Sequence, residues 1–449
     1  MKLQSAAEDV ILNQEKQIEK ALKNIFYREE FVMNIHFQER RQQLLCDKKG
    51  PCMLVIFSGK APMRSADEAY PFVVDRDFYY LTGIDRENMI LVMTKDYAGN
   101  QSEMLYIEPY DEFKAKWVGG RMKADEATAI SEIQDIRYLE DFDSAVNSFV
   151  DRNRGEGKMT FYLDLWKHNA DQLPSQAHLF AQKVQANYPA AQIDEIFGDI
   201  VKMRVVKSKA EIEKMRVAQE TTRRAIEAMM KFAYPGVNEC ALEGAFDFEL
   251  AKQGVKEHAF PSIVAGGARA TTLHYSTNNQ NVQDNEMVLI DLGSANEHYC
   301  ADISRTFPVN GKFTERQKEV YNVVLAVQQL IIDSARPGMT MLDLNNMVIE
   351  FYEKELPKIG LLKDGKTVRD YYYHSVSHSL GLDCHDVVTP ALRTLRPGMV
   401  ITVEPGLYIA EEGIGVRIED DILITEEKAI NLSENILKTV EDIEALMKK

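Results

Sequence analysis

Asp291 and Asp302 stand with ten residues between them, and Glu404 and Glu419 repeat the arrangement later in the chain with a longer gap. The first pair brackets the turn formers Gly293, Ser294 and Asn296 between MVLID at 287–291 and CADISRTF at 300–307; the second brackets Gly406, Gly413 and Gly415 between MVITVE at 399–404 and VRIEDDILI at 416–424. Strand, turn and returning strand can put both acids of each pair on one face of a hairpin. Four converging carboxylates repel one another and take up protons unless cations neutralise them, so the pattern asks for about two divalent metals. His378 is the candidate nitrogen ligand, and oxygen donors with one imidazole suit Mn²⁺, Co²⁺ or Zn²⁺ in a catalytic pair. Two such ions about 3.5–4 Å apart can bridge a water, lower its pKa and present hydroxide to a polarised carbonyl, which is hydrolytic chemistry. Any one acid near a turn is ordinarily solvated or capping; the repeated order is what points to a site. Glu419 and Asp421 fall on the same face of an alternating strand, so the residues alone leave open which of them joins it.

Six of the nine histidines (His258, His274, His298, His374, His378 and His385) lie after residue 250, in the half that holds the acids. His385 could donate to a substrate carbonyl or tetrahedral intermediate, with the adjoining Asp386 fixing its tautomer. His258 and His298 read instead as core histidines satisfied by a neighbouring acid. Arg417 shares the strand face of Glu419 and could balance charge or orient a carboxylate there.

The elements that must position these residues are themselves repeated. A helix runs into Tyr234, Pro235, Gly236 and a second helix bearing Leu242, and another runs into Arg336, Pro337, Gly338 and a helix bearing Leu344. In each copy the leucine lies seven residues after the proline, and a His-bearing segment and two acidic strands follow. A duplicated unit folding as two related halves would bring both hairpins to a pseudo-twofold axis. Ser208 and Glu211 form a capping-box signature before a long amphipathic helix, which places a domain boundary near residue 200. Before it, MLVIF at 53–57, FYYLTG at 78–83 and MILVMT at 89–94 read as short β-rich runs among helical patterns, an α/β domain. Residues 1–32 alternate charged and apolar positions like a solvated helix, and Met33 is a second plausible start.

The 53 basic and 70 acidic residues leave a net charge of −17, which repels phosphate and excludes nucleic-acid and anionic-membrane partners. Five scattered cysteines without a Cys-x-x-Cys pair argue against a disulfide framework and for a reducing, cytoplasmic compartment.

The segments LHYSTNN, VLIDLGSANEHYCADISRTFPVNGKFT, HSVSHSLGLDCHD, VEPGLYI and GVRIEDD resemble those of the Xaa-Pro aminopeptidases (aminopeptidase P), pita-bread metallopeptidases related to prolidase. RSADEAYPFVVDRDFYYLTG is similar to their amino-terminal domain. The resemblance implies an N-terminal domain over 33–200 and an α+β pita-bread catalytic domain over 201–449 with a pseudo-twofold internal repeat. It implies that Asp291, Asp302, His378, Glu404 and Glu419 bind two divalent metals, typically Mn²⁺, with Asp302 and Glu419 bridging. It also implies that Glu404 is general base and proton shuttle, that His274 and His385 contact the substrate, and that Arg417 and Tyr408 support the site. Phe260 and His374 are candidates for the pocket that holds the proline ring. The implied substrates are peptides with proline second, and the implied assembly is a homodimer or homotetramer to which Trp117 or Arg121 could contribute. Prolidase, which cleaves only Xaa-Pro dipeptides, is the nearest alternative, and a non-catalytic peptide-binding module of the same fold is a further one. The short turn between Tyr408 and Gly413 and the segment GGARATT at 266–272 depart from the family pattern on the substrate side, where specificity could differ.

Overall fold

The computed structural model describes residues 37–155 and 158–448; the helical extension expected over 1–32 lies outside them. No helix among the described residues is long and apolar enough to cross a membrane. The N-terminal part is built on a six-stranded mixed sheet. Its strands run in the spatial order Ile136–Tyr138, Gln101–Ile107, Ile90–Lys95, Cys52–Phe57, Thr160–Leu163, Gln192–Glu195. Cys52–Phe57 pairs antiparallel with Ile90–Lys95 and parallel with Thr160–Leu163, as two of the β-rich runs predict.

The third run is a helix. FYYLTG belongs to Arg76–Thr82, where the Asp75 side chain accepts from the Phe78 amide and Gly83 closes the end at φ 70°. An acidic cap and a left-handed glycine stop outweigh the strand preference of three aromatics once the segment is buried among neighbouring elements.

The second part carries the duplication into three dimensions. Lys209–Phe232 starts at the Ser208/Glu211 capping box and is followed by Glu239–Lys252; Glu315–Ser334 is followed by Met341–Glu355. Gly236 and Gly338 turn the chain at φ 89° and 90°, and their amides donate to the carbonyls of Val282 and Leu395 at 2.7 and 3.0 Å. Leu242 and Leu344 are both fully buried in one shared core. The halves are therefore related contact by contact as well as in order.

The first hairpin pairs Met287–Leu292 with Ile303–Pro308, register Asp291 opposite Ser304 and Leu292 opposite Ile303. Beyond that pair the ladder opens at Gly293, where a Cβ would sit 1.8 Å from the Ala301 carbonyl oxygen, so only glycine fits. In the second half Val400–Val403 pairs with Asp420–Ile424, and Gly406–Ile409 with Ile414–Arg417. Between them both strands are interrupted, at residues 404–405 and 418–419. Glu404 and Glu419 thus occupy breaks in a long hairpin rather than the regular strand positions expected for them. Pro405 has no N–H for the ladder. A further apolar cluster joins the two parts, with Leu54, Ile56 and Leu81 against Tyr299, Leu380 and Val400.

If the halves carry equal structural weight, Leu242→Ala and Leu344→Ala should each cost about 2–5 kcal/mol, read as similar losses of chemical-denaturation midpoint; a cost confined to one copy would contradict that equivalence.

Candidate metal centre

The seam between the two hairpins is stitched by backbone. The Glu419 amide donates to the Ser304 carbonyl at 3.0 Å, and Arg417 and Thr306 exchange bonds through the Thr306 hydroxyl at 3.2 Å. Beneath it the buried Arg305 donates to the carbonyls of Ser304 and Glu419 and to Asp420 Oδ1, at 2.9, 2.5 and 2.7 Å. Asp420 also accepts from Gln328, Asn431 and Lys438 and is spent on structure.

This seam separates the three adjacent acids. Glu419 accepts from the Ser304 hydroxyl at 2.7 Å, and one of its oxygens lies within 4.8 Å of ligand atoms of Asp302 and His378. Asp421 instead accepts from the Asp302 amide and from Gln219, at 3.1 and 3.0 Å. Strand alternation could not divide 419 from 421 because it assumes an unbroken strand, and the break at 418–419 resets the facing.

All five expected ligands converge. His378 Nε2 lies 3.3 Å from Asp302 Oδ2 and 3.5 Å from Glu404 Oε1, while Nδ1–H donates to the Ser379 carbonyl at 3.1 Å. That bond fixes the ring with Nε2 turned on the acids, where its lone pair becomes a ligand once the Nε2 proton leaves. Arg417 donates to Asp291 Oδ2 at 2.7 Å, to Ser304 Oγ at 2.8 Å and to the Tyr408 hydroxyl at 3.0 Å. The Tyr408 hydroxyl in turn lies 2.8 Å from His374 Nε2, and His374 Nδ1 is 2.8 Å from the Ser375 carbonyl. Tyr408 therefore donates to a neutral His374. Both Tyr408 and Arg417 are buried and turned on the carboxylates and each other.

The acids carry the electrostatic strain expected of them. Burial, with Asp302 adding repulsion and Arg417 partly offsetting it, lifts Asp291 to about 6. Glu404 is lifted to about 7 by burial and the neighbouring acids, against the pull of His378 and Arg417. Burial and three facing carboxylates push Glu419 well above the usual range. Burial would raise Asp302 too, but hydrogen bonds from His378 and Cys384 hold it below. Burial disfavours charge on His378, yet Asp302 and Glu404 outweigh it and lift the imidazole to about 9. Burial and Arg417 drop His374 to about 4.

Asp291 Oδ1 is buried without a hydrogen-bond partner, which is costly unless something outside the protein satisfies it. Carboxylates that hold protons for want of a counter-charge, an orphaned carboxylate oxygen and an imidazole nitrogen turned on the acids together fit a pair of divalent cations.

On the open side, His385 is exposed, makes no hydrogen bond with a described residue, and faces the His378 ring edge-on at 4.4 Å between centroids. Asp386 does not fix its tautomer as expected. Its carboxylate accepts from Arg204 and Lys207 at 2.6 and 3.0 Å, because two buried cations from the domain junction outbid a neutral imidazole. His274 sits on an exposed turn, close enough to disfavour protonation of both His374 and His385. Phe260 is half-buried in the segment leading to Ile263–Gly266, with no ring contact to the ligands. His258 pairs with Asp247 and His298 with Glu257 and Asp85, apart from the centre. The sequence reading passed over Ser304 and Cys384, whose only signal was position beside Asp302 and His385, and the Asp302-capping Asp421 could not be told from a ligand.

The fold and site are similar to known proteins. Residues 213–426 match metallopeptidase family M24 and residues 37–157 match the aminopeptidase P N-terminal domain. The Xaa-Pro aminopeptidase of Escherichia coli K12 is 35% identical, with 92% of this chain and 97% of that protein covered. A solved Bacillus anthracis chain named for aminopeptidase P is 40% identical, with a TM-score of 0.88 over 92% of this chain and 98% of the other. The E. coli aminopeptidase P structure with the inhibitor Pro-Leu is similar at 32% identity and a TM-score of 0.83, covering 92% and 97%.

The raised groups set a pH dependence. Asp291 and Glu404 titrate above their ordinary 3.8 and 4.5, so without a cation the folded state binds more protons than the unfolded one and their contribution to stability falls as pH rises through those windows. Those protons, and that of His378, must leave before a cation enters. The rise in melting temperature on adding Mn²⁺ should therefore grow from about pH 5 to about pH 8; a gain independent of pH would place the cation elsewhere.

Proposed function

The chain belongs to the aminopeptidase P group of metallopeptidase family M24 and is a metallo-exopeptidase acting on Xaa-Pro peptides, and we propose that Asp291, Asp302, His378, Glu404 and Glu419 hold its two cations and that Glu404 moves the proton. The observation that carries this is the convergence of the Asp302, Glu404 and Glu419 carboxylates on the His378 imidazole, with Asp291 beside Asp302. When bound, two divalent cations supply Lewis acidity and lower the pKa of the attacking water. We propose Mn²⁺ as the native metal, which the oxygen-dominated donor set supports.

The chain's own residues supply the remainder. Glu404, 3.5 Å from His378 Nε2 and the least buried of the four carboxylates, accepts a proton from water and returns it to the departing proline nitrogen. Arg417 keeps Asp291 oriented, while Ser304 does so for Glu419. Partial desolvation of its ring and the neighbouring His378 disfavour protonation of His385, leaving a neutral N–H donor for the carbonyl oxygen as charge develops there. We assign His274, whose charge reaches His374 and His385, and the half-buried Phe260 to the substrate side. A Xaa-Pro bond lacks the N–H by which strand-docking peptidases hold a substrate, so a pocket of imidazoles and rings suits it.

The dipeptidase reading is not favoured, because similarity to Xaa-Pro aminopeptidases runs over nearly the whole of both chains. Five unpaired cysteines support a reducing compartment, the cytoplasm in our proposal. Exposed Phe113, Trp117 and Val118 support self-association as a dimer or tetramer.

Metal-stripped protein should release alanine from Ala-Pro-Ala once Mn²⁺ is restored, leaving Pro-Ala intact; cleavage of Ala-Pro alone would return the prolidase assignment. Glu404→Gln should keep the fold, by circular dichroism, and lower turnover about 10²–10⁴-fold. Unchanged turnover would remove Glu404 from the proton path.

A further inference from the structure

Cys384 has no place in the reaction described above, yet its surroundings are those of a ligand. Its Sγ lies within 4.8 Å of ring nitrogens of both His378 and His385, which are themselves within that distance of each other. The thiol donates to Asp302 Oδ2 at 3.0 Å. The His378 and His385 rings meet edge-on, 73° between planes. His385 has no hydrogen-bond partner among the described residues, and its own loop is held down on the far side. Asp386 is bound to Arg204 and Lys207, and Asp383 is bound to Arg204 at 2.8 Å. The donors are thus clustered on a loop fixed by buried ion pairs.

Two imidazoles, one thiolate and one carboxylate form a four-donor set typical of a tetrahedral borderline cation, quite unlike the oxygen-rich set beside it. A hard cation such as Mn²⁺ gains little from sulfur, whereas Zn²⁺ and Co²⁺ gain much. We propose that Cys384 and His385, sharing His378 and Asp302 with the carboxylate centre, form a further cation position selective for Zn²⁺-like ions. On binding, the S–H bond breaks, its proton passes to solvent, and the sulfur lone pair forms the metal bond. A thiolate beside Asp302 is stable only with that cation between them.

Occupation draws His378 and Asp302 from one centre to another and removes His385 from the open side. Zn²⁺ bound there should therefore inhibit; this consequence, unlike the site itself, rests on the proposed peptidase function.

The test uses the full chain loaded with Mn²⁺ and titrated with Co²⁺ as a spectroscopic stand-in for Zn²⁺. Wild type should develop a near-ultraviolet thiolate-to-cobalt charge-transfer band, and Cys384→Val and Cys384→Ser, checked for folding by circular dichroism, should lose it. The Zn²⁺ concentration that halves Ala-Pro-Ala turnover, with each protein normalised to its own Mn²⁺ activity, should rise about tenfold or more in both variants. Absence of the band in wild type, or its persistence in the variants, overturns the site, and these readings hold whether or not the peptide is cleaved. A band that behaves as expected with unshifted Zn²⁺ inhibition overturns the inhibitory role alone.

Discussion

Like charges brought together out of water are the constraint on which the rest of this molecule turns. Asp291, Asp302 and Glu419 sit buried at one seam with the half-buried Glu404, and three of the four are driven toward their protonated forms. No protein would keep such an arrangement for stability, since a buried carboxylate without a counter-charge is among the costliest groups a core can hold. It is tolerated because the surrounding structure is organised around it. Arg417 neutralises Asp291 directly, Ser304 passes a hydrogen bond to Glu419, and His378 stands between Asp302 and Glu404.

The duplicated architecture explains how so much charge can be assembled without collapse. Each half contributes one hairpin: Asp302, Glu404 and Glu419 lie where its ladder opens or breaks, and Asp291 is paired two residues before the opening at Gly293, so the carboxylates meet at the seam. The halves are then locked from behind by Arg305, which ties Ser304 and Glu419 to Asp420 and thence to the helix Glu315–Ser334 through Gln328. A buried arginine satisfied by five acceptors, the carbonyls of Leu437 and Ile436 among them, is a rigid support. The N-terminal part reaches the same region by another route. Arg204 joins Asp77 of the helix Arg76–Thr82 to Asp383 and Asp386, so the segment carrying Cys384 and His385 is braced by the domain junction. The open side of the centre is thus as firmly placed as the seam.

Much of this was legible in the residues. The repeat, the Pro-Gly turns, the buried Leu242 and Leu344, the capping box at Ser208 and the acidic pairs are local patterns, set by backbone geometry and hydrophobic periodicity that neighbouring residues are sufficient to express. Retention of all four motif acids and His378 carried the family resemblance, and with it the class of chemistry.

Other features depended on residues far apart in the chain. FYYLTG has strand-forming side chains, but Asp75, Gly83 and burial made it helical. Glu419 and Asp421 are indistinguishable by alternation, and only the break opposite Pro405 and the partners Ser304 and Asp302 set them apart. Asp386 adjoins His385 in sequence yet belongs to Arg204 and Lys207, more than 170 residues earlier. Sequence by itself determined which groups were present and which local elements carried them. Tertiary structure alone decided which charge met which, because electrostatic and hydrogen-bond partners are chosen by distance and burial in the folded chain, not by order along it.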